Sequence, residues 1–371
     1  MALLKGDYYD IRKLLELGCD WNLVLGERSS GKTYSSLKVL LEDAWKGKNF
    51  AYVRRYDEDF KSRRGSAIFQ SLEQNNEITK ITRGKWTGIR YYSKRFYWCK
   101  YDKDGKCVYD ESPVGWAFSL AGGEHDKSSS YNTVYNIMMD EMVASGGAYL
   151  NNEFVLLCNT ISTIARDRMC RIILLGNTVS KVCPYFSELK IDINKLKQGS
   201  INVIEYDRGL RLAVEMTDST EREKESDRLF SFGNAKLNMI RGAEGNNGDN
   251  SIWQFDIYPH LFIEYERDDI MFTYFIEYTE LNKLYQCEMI QTKENEQFTF
   301  IHEKTTPLKN IDQDLIFSDR LTSKPNYRYG MSNPRTLVEK KINEHFKSNN
   351  VYYSNNEVGD AVKSFRLLVR V

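Results

Sequence analysis

Residues 26–33 read Gly-Glu-Arg-Ser-Ser-Gly-Lys-Thr, a full match to the G-x-x-x-x-G-K-[ST] phosphate-binding loop. The flanks fit it. Residues 21–25 (WNLVL) form a short buried-strand run, and Leu37, Leu40, Leu41 and Ala44 recur at helical spacing from Thr33 to a stop at Gly47. Gly26 and Gly31 let the backbone turn, so that the N–H groups from Glu27, Arg28, Ser29 and Ser30 onward line a nest for the β- and γ-phosphates of ATP. Lys32 sets a cation on those phosphates, and Thr33 holds Mg²⁺ through its hydroxyl.

Three more apolar runs, residues 50–53, 134–139 and 171–175, follow in the first half, separated by other elements. Strands alternating with helices imply a parallel sheet covered on both faces. Residues 80–120 have a different texture, rich in Trp, Tyr and Phe with turn signals at Thr87-Gly88, Asp104-Gly105 and Pro113, and read as one or two inserted antiparallel hairpins. Residues 215–230 are charged, with Asp218 and Glu221 spaced as a capping box, and predict a solvated helix opening a linker. Gly242 to Asn250 is a hinge sequence. Beyond it, residues 270–290 alternate as a hairpin, Pro334 opens a helix, and residues 357–371 form a last basic amphipathic helix. The expected division is an ATPase domain over 1–207, a helical linker over 208–248 and a smaller α+β domain over 249–371.

A chain of 371 residues buries a full core and has room for two domains. Lys+Arg and Asp+Glu are both 52, so a polyanionic partner must be met by a local patch. Residues 80–106 are such a patch, with Lys and Arg interleaved among Trp86, Tyr91, Tyr92, Phe96, Tyr97, Trp98 and Tyr101, although a half-exposed hairpin has the same look. Seven scattered cysteines without a C-x-x-C pair fit free thiols in a reducing compartment, and the four histidines show no metal-ligand spacing. No apolar run reaches the length of a membrane span and the first residues lack a signal-peptide core, which predicts a soluble intracellular protein with no membrane partner.

The run over 134–139 ends in Asp140-Glu141, a Walker B signature in which Asp140 binds the Mg²⁺ shell and Glu141 orients and deprotonates the attacking water. Adjacent carboxylates favour hydrolysis over transfer. The run over 171–175 leads to Asn177, whose amide at the strand's C-terminal edge either reports the γ-phosphate or stabilises the turn. Arg166 and Arg168 lie between an amphipathic helix and that strand; they are either a solvated helix terminus or a source of an arginine finger for a neighbouring subunit.

Arg28 inside the phosphate loop, NFAYVRRYDEDF at 49–60, VGWAFSL at 114–120, DKSSSYNTV before MMDE, and LLGNTVSKVCPYF at 174–186 together resemble the genome-packaging ATPases of phi29-like podoviruses. The likeness spans roughly the first half of the chain and returns in the final helices. It implies an additional-strand (ASCE) P-loop NTPase fold with a C-terminal RNase H-like domain that has lost its nuclease carboxylates. It also implies a homopentameric ring on the prohead that drives double-stranded DNA through the portal with ATP, acting in the host cytoplasm; use of a prohead RNA stays open. On that resemblance Arg54 falls on a lid arginine, Lys127 on a lysine acting in trans and Arg166 on the arginine finger. Glu277 and Glu288 are the strand acids of the C-terminal region and make no metal triad. The loop after Asp140-Glu141, VASGGAYLNNE, departs from the family in lacking Lys and Arg, leaving backbone N–H groups, Ser145 and Asn151-Asn152 as its possible DNA contacts. A P-loop kinase and a non-enzymatic NTP-dependent assembly module also fit the phosphate loop, and both differ from a packaging motor in not hydrolysing ATP in response to DNA.

Overall fold

The computed structural model describes residues 9–61, 63–102, 104–122, 131–144, 148–218, 253, 257–261 and 264–369. The chain divides into two compact units, one of Met1–Val143, Glu153–Thr178 and Asn194–Leu229, the other of Ala144–Asn152, Val179–Ile193 and Phe230–Val371.

The first unit is built on one sheet of β1 (Trp21–Gly26), β2 (Asn49–Arg54), β3 (Gly88–Tyr92), β4 (Arg95–Tyr101), β5 (Cys107–Tyr109), β6 (Gly115–Ser119), β7 (Val134–Met139), β8 (Arg171–Asn177), β9 (Ser200–Glu205) and β10 (Arg211–Met216). Its order is β3-β4-β6-β2-β7-β8-β1-β10-β9, with β5 on β4. The stretch from β6 to β10 is parallel throughout, and antiparallel strands close both edges. β8 separates the strand that leads into the phosphate loop from the strand that ends at Asp140-Glu141, which is the additional strand of the expected class. The central strands are buried along most of their length, as unbroken apolar runs require of a sheet covered on both faces. The helix Lys32–Trp45 turns Leu37, Val39, Leu40, Leu41 and Ala44 into this core, each large side chain contributing about 1.5–3 kcal/mol.

The aromatic region is a hairpin extension, but its first turn is not at a predicted position. Ser93 and Lys94 make the β3–β4 turn with φ of 49° and 58°, the left-handed pair of a type I′ turn, while Gly88 opens β3. Asp102 closes the β4–β5 turn by accepting from the N–H groups of Asp104 and Lys106. Residues 211–216, read from the sequence as part of the linker, are β10: Leu212, Ala213 and Val214 are buried where the strand pairs with β1. Residues 219–252, with Glu221 of the predicted capping box and the whole predicted hinge, lie outside the described residues.

The second unit carries β11 (Ile270–Tyr278), β12 (Lys283–Gln291), β13 (Gln297–Glu303), β14 (Ile316–Ser318), β15 (Tyr327–Tyr329) and β16 (Val351–Tyr353) in the order β15-β14-β11-β12-β13-β16. β11 to β13 form an antiparallel meander, and β14 and β15 add in parallel beside β11. The helix Leu337–Lys347 begins later than Pro334, because Thr336 is its N-cap and accepts from the Glu339 N–H. The helix Asn356–Leu368, capped by Asn355, packs Val358, Ala361, Val362 and Phe365 into the same core. All seven cysteines are free thiols, and no helix among the described residues is long and apolar enough to cross a membrane.

Candidate active site

The phosphate loop leaves the C-terminal end of β1 and enters the helix at Lys32. Gly31 takes a φ of 95° at the helix N-cap, where a side chain would be strained. Gly26 is required for a different reason: a Cβ there would stand 2.0 Å from Thr217 Oγ1. The buried Lys32 ammonium turns back on the loop, donating to the carbonyls of Gly26 at 2.9 Å and Glu27 at 2.6 Å and to Ser30 Oγ at 3.1 Å. It also reaches Asn177 Oδ1 at 3.3 Å, which brings the end of β8 to the phosphate loop. A cavity of about 300 Å³ opens here, lined among others by Ser29, Gly31, Thr33, Asp140 and Asn177. A cation cradled by loop carbonyls beside such a cavity suits triphosphate oxygens.

β7 delivers Asp140 to the same place. Thr33 Oγ1 donates to its carboxylate at 3.1 Å and so does the buried Tyr52 hydroxyl, also at 3.1 Å. Burial, then the Asp140 charge, pushes the Tyr52 hydroxyl far up, so it remains a donor. A hydroxyl and a carboxylate so close together are the oxygen donors that Mg²⁺ takes in such sites, and Thr33 and Asp140 fit it. Glu141 follows with a φ of 57° and an exposed side chain whose Oε2 accepts from Arg54 Nη2 at 2.9 Å. Arg54 also lies 3.6 Å from both Asp140 and Asp59. Burial works against its charge, and Tyr52, Asp140, Glu141 and Asp59 outweigh that and raise its pKa.

The two arginines before β8 separate clearly. Arg168 donates to the carbonyls of Val134, Tyr131 and Ile164 at 2.8–3.0 Å, a structural role. Arg166 is exposed at the C-terminal end of the helix Glu153–Ala165, with a φ of 50°. It precedes β8 while Asn177 ends it, and seven residues of strand span roughly 20 Å, so Arg166 stands at the opposite edge of the sheet from its own phosphate loop. Lys127, Ser145 and the two glycines after it lie outside the described residues. Asn151 and Asn152 are exposed, and the Asn152 N–H already donates to Glu280.

Three site residues escaped the sequence reading. Tyr52 and Asp59 are ordinary in sequence; Arg55 had a signal in the doubled arginine at the end of β2, and its guanidinium holds Glu153 and the carbonyls of Glu141 and Met142. In the aromatic hairpin Phe96 and Trp98 are core, whereas Arg90 lies over the rings of Tyr92 and Tyr109, and Tyr92, Tyr101 and Tyr109 are exposed. In the C-terminal sheet the acids are engaged: Glu277 accepts from Ser318, Asp319 from the N–H groups of Thr279 and Glu280, and Glu288 from Tyr265 and Gln286. Among the described residues no group of three or more His, Cys, Asp or Glu could hold a metal ion.

Residues 3–311 match the family described as Podovirus DNA encapsidation protein (Gp16), well beyond the half of the chain over which the resemblance was read. The DNA packaging proteins of Bacillus phages PZA and phi29 are 31% and 30% identical over 283 residues, covering 74% of this chain and of each relative. Among solved structures, the Phi-28 gp11 DNA packaging motor aligns over 98% of both chains with a TM-score of 0.56 at 18% identity. The bacteriophage Phi-29 viral genome packaging motor assembly aligns over 98% of this chain and 99% of that one with a TM-score of 0.53 at 22% identity. These two likenesses are of fold.

Proposed function

Because this chain belongs to the podovirus DNA encapsidation protein (Gp16) family, we propose that it drives double-stranded DNA into a viral prohead with the energy of ATP hydrolysis. The observation that carries the hydrolytic part is the convergence of Lys32, Thr33, Asp140 and Asn177, from the ends of three parallel strands, on one cavity, with Glu141 beside it on Arg54. ATP supplies the reactive γ-phosphorus and its leaving group, with Mg²⁺ held through Thr33 and Asp140. The N–H groups of residues 26–33 cradle the phosphates, and Lys32 exchanges its loop carbonyls for phosphate oxygens. Glu141 leaves Arg54 and takes a proton from the attacking water, while Asn177 holds the γ-phosphate end.

Arg166, remote from its own loop, serves the site of a neighbouring subunit, so the working form is a ring, with five subunits the reading the family resemblance supports. Lys127 acts across the same boundary. The ring docks on the portal of the prohead in the host cytoplasm. Steady-state ATPase assays with and without double-stranded DNA, followed by nuclease protection of DNA mixed with proheads, test this. DNA should raise turnover and become protected only with ATP. Binding of ATP without turnover, or phosphate transfer to an acceptor, would replace the motor with an assembly module or a kinase.

A further inference from the structure

Arg55, one residue beyond β2, is buried, and no step described so far uses it. Its Nε and Nη2 meet the two oxygens of the fully buried Glu153 at 2.7 and 2.8 Å. Nη1 donates to the Glu141 carbonyl at 3.2 Å and Nη2 to that of Met142 at 2.9 Å. The planar fork of a guanidinium thus serves one carboxylate and two successive carbonyls together, which an ammonium cannot do. Those carbonyls need holding, since the left-handed backbone at Glu141 is disfavoured by about 1–2 kcal/mol for a residue with a Cβ. The adjacent arginines divide the residue between them: Arg54 takes its carboxylate and Arg55 its peptide. Glu153 is also the first residue of the helix that leads to Arg166, and thirteen residues carry it about 20 Å to that end.

We propose that Arg55 is a positioning residue that fixes the Glu141 peptide as a pivot. The carboxylate turns about that pivot from Arg54 toward the water. Through Glu153 the same guanidinium ties the pivot to the helix bearing Arg166, so that the base of one site and the finger offered to the next move as one piece. This rests on reading Glu141 as the base and Arg166 as the finger.

The test replaces the pair as Arg55→Met with Glu153→Leu, because losing one partner would strand a buried charge whereas an apolar pair of similar volume keeps the fold. The double variant should melt cooperatively and bind a fluorescent ATP analogue with unchanged Kd. Its kcat should fall roughly 10²-fold, the scale of a 1 Å misplacement. Mixed with Glu141→Gln subunits it should give no recovery beyond dilution, because it brings neither a placed base nor a placed finger, whereas Arg166→Ala subunits should recover with the same partner. Wild-type kcat in the double variant, or recovery matching that of Arg166→Ala, overturns the proposal. Should the double variant not melt cooperatively, Arg55→Lys carries the test: slow turnover at unchanged ATP affinity supports the pivot, and wild-type turnover sinks it. A wild-type rate for Glu141→Gln sinks the base assignment and this proposal with it, while slow Glu141→Gln beside a fast Arg55 variant sinks this proposal alone.

Discussion

Glu141 and Lys32 sit in one site and their loss should read differently. Lys32 is buried among loop carbonyls and its charge is the binding element for phosphate, so Lys32→Ala should weaken nucleotide affinity itself. Glu141 is exposed and touches only the outer part of the site, through Arg54. Glu141→Gln should therefore keep ATP and Mg²⁺ binding and cut turnover by roughly 10²-fold or more, since a placed base contributes about 10²–10⁴. Nucleotide titration and single-turnover hydrolysis of the two variants check this; equal turnover in Glu141→Gln and wild type would remove Glu141 as the base.

At the scale of elements, the helix Glu153–Ala165 predicts how subunits cooperate. Its C-terminal end lies a strand's length from its own phosphate loop, so Arg166→Ala should bind ATP normally, hydrolyse slowly, and recover in part when mixed with Glu141→Gln. Mixing curves that never rise above dilution would place Arg166 in cis. Strands β12 and β13 carry a second prediction, in pH. The His302 ring, 3.8 Å from the carboxylate, opposed by burial and aided by hydrogen bonds from Tyr265 and Gln286, holds Glu288 down to about 2 from an ordinary 4.5, and Glu288 raises His302 above 6.5. The Glu288 contribution is full above pH 4.5 and fades as pH falls toward 2; the His302 contribution is full below 6.5 and fades as pH rises through its raised value. Thermal melts of Glu288→Gln should be flatter than wild type on both sides of that window, and parallel profiles would remove the pair as its cause.

For the whole molecule, the second unit should bind without cutting. Cleavage of RNase H type needs carboxylates converging on two metal ions about 4 Å apart. Here Glu277, Glu288 and Asp319 are each spent on hydroxyl, amide or backbone partners. The full chain should leave plasmid DNA intact in Mg²⁺ or Mn²⁺, and metal-dependent nicking abolished by Glu277→Ala would make it a nuclease as well.

The sequence by itself determined the features that are local in the chain. A phosphate loop is a run of eight residues with a fixed backbone requirement, and buried strands announce themselves as apolar runs, so β1, β2, β7, β8 and the positions of Lys32, Thr33, Asp140 and Glu141 were legible before any fold. Only the tertiary structure decided what depends on which strands become neighbours. β8 lies between β1 and β7, β10 joins β1 from a stretch that reads as linker, and Tyr52 on β2, with Arg55 and Asp59 just after it, reaches the Asp140-Glu141 site or its Arg54 from more than 80 residues upstream. Side-chain pairing across a sheet is set by strand order and register, and neither leaves a periodicity in the chain.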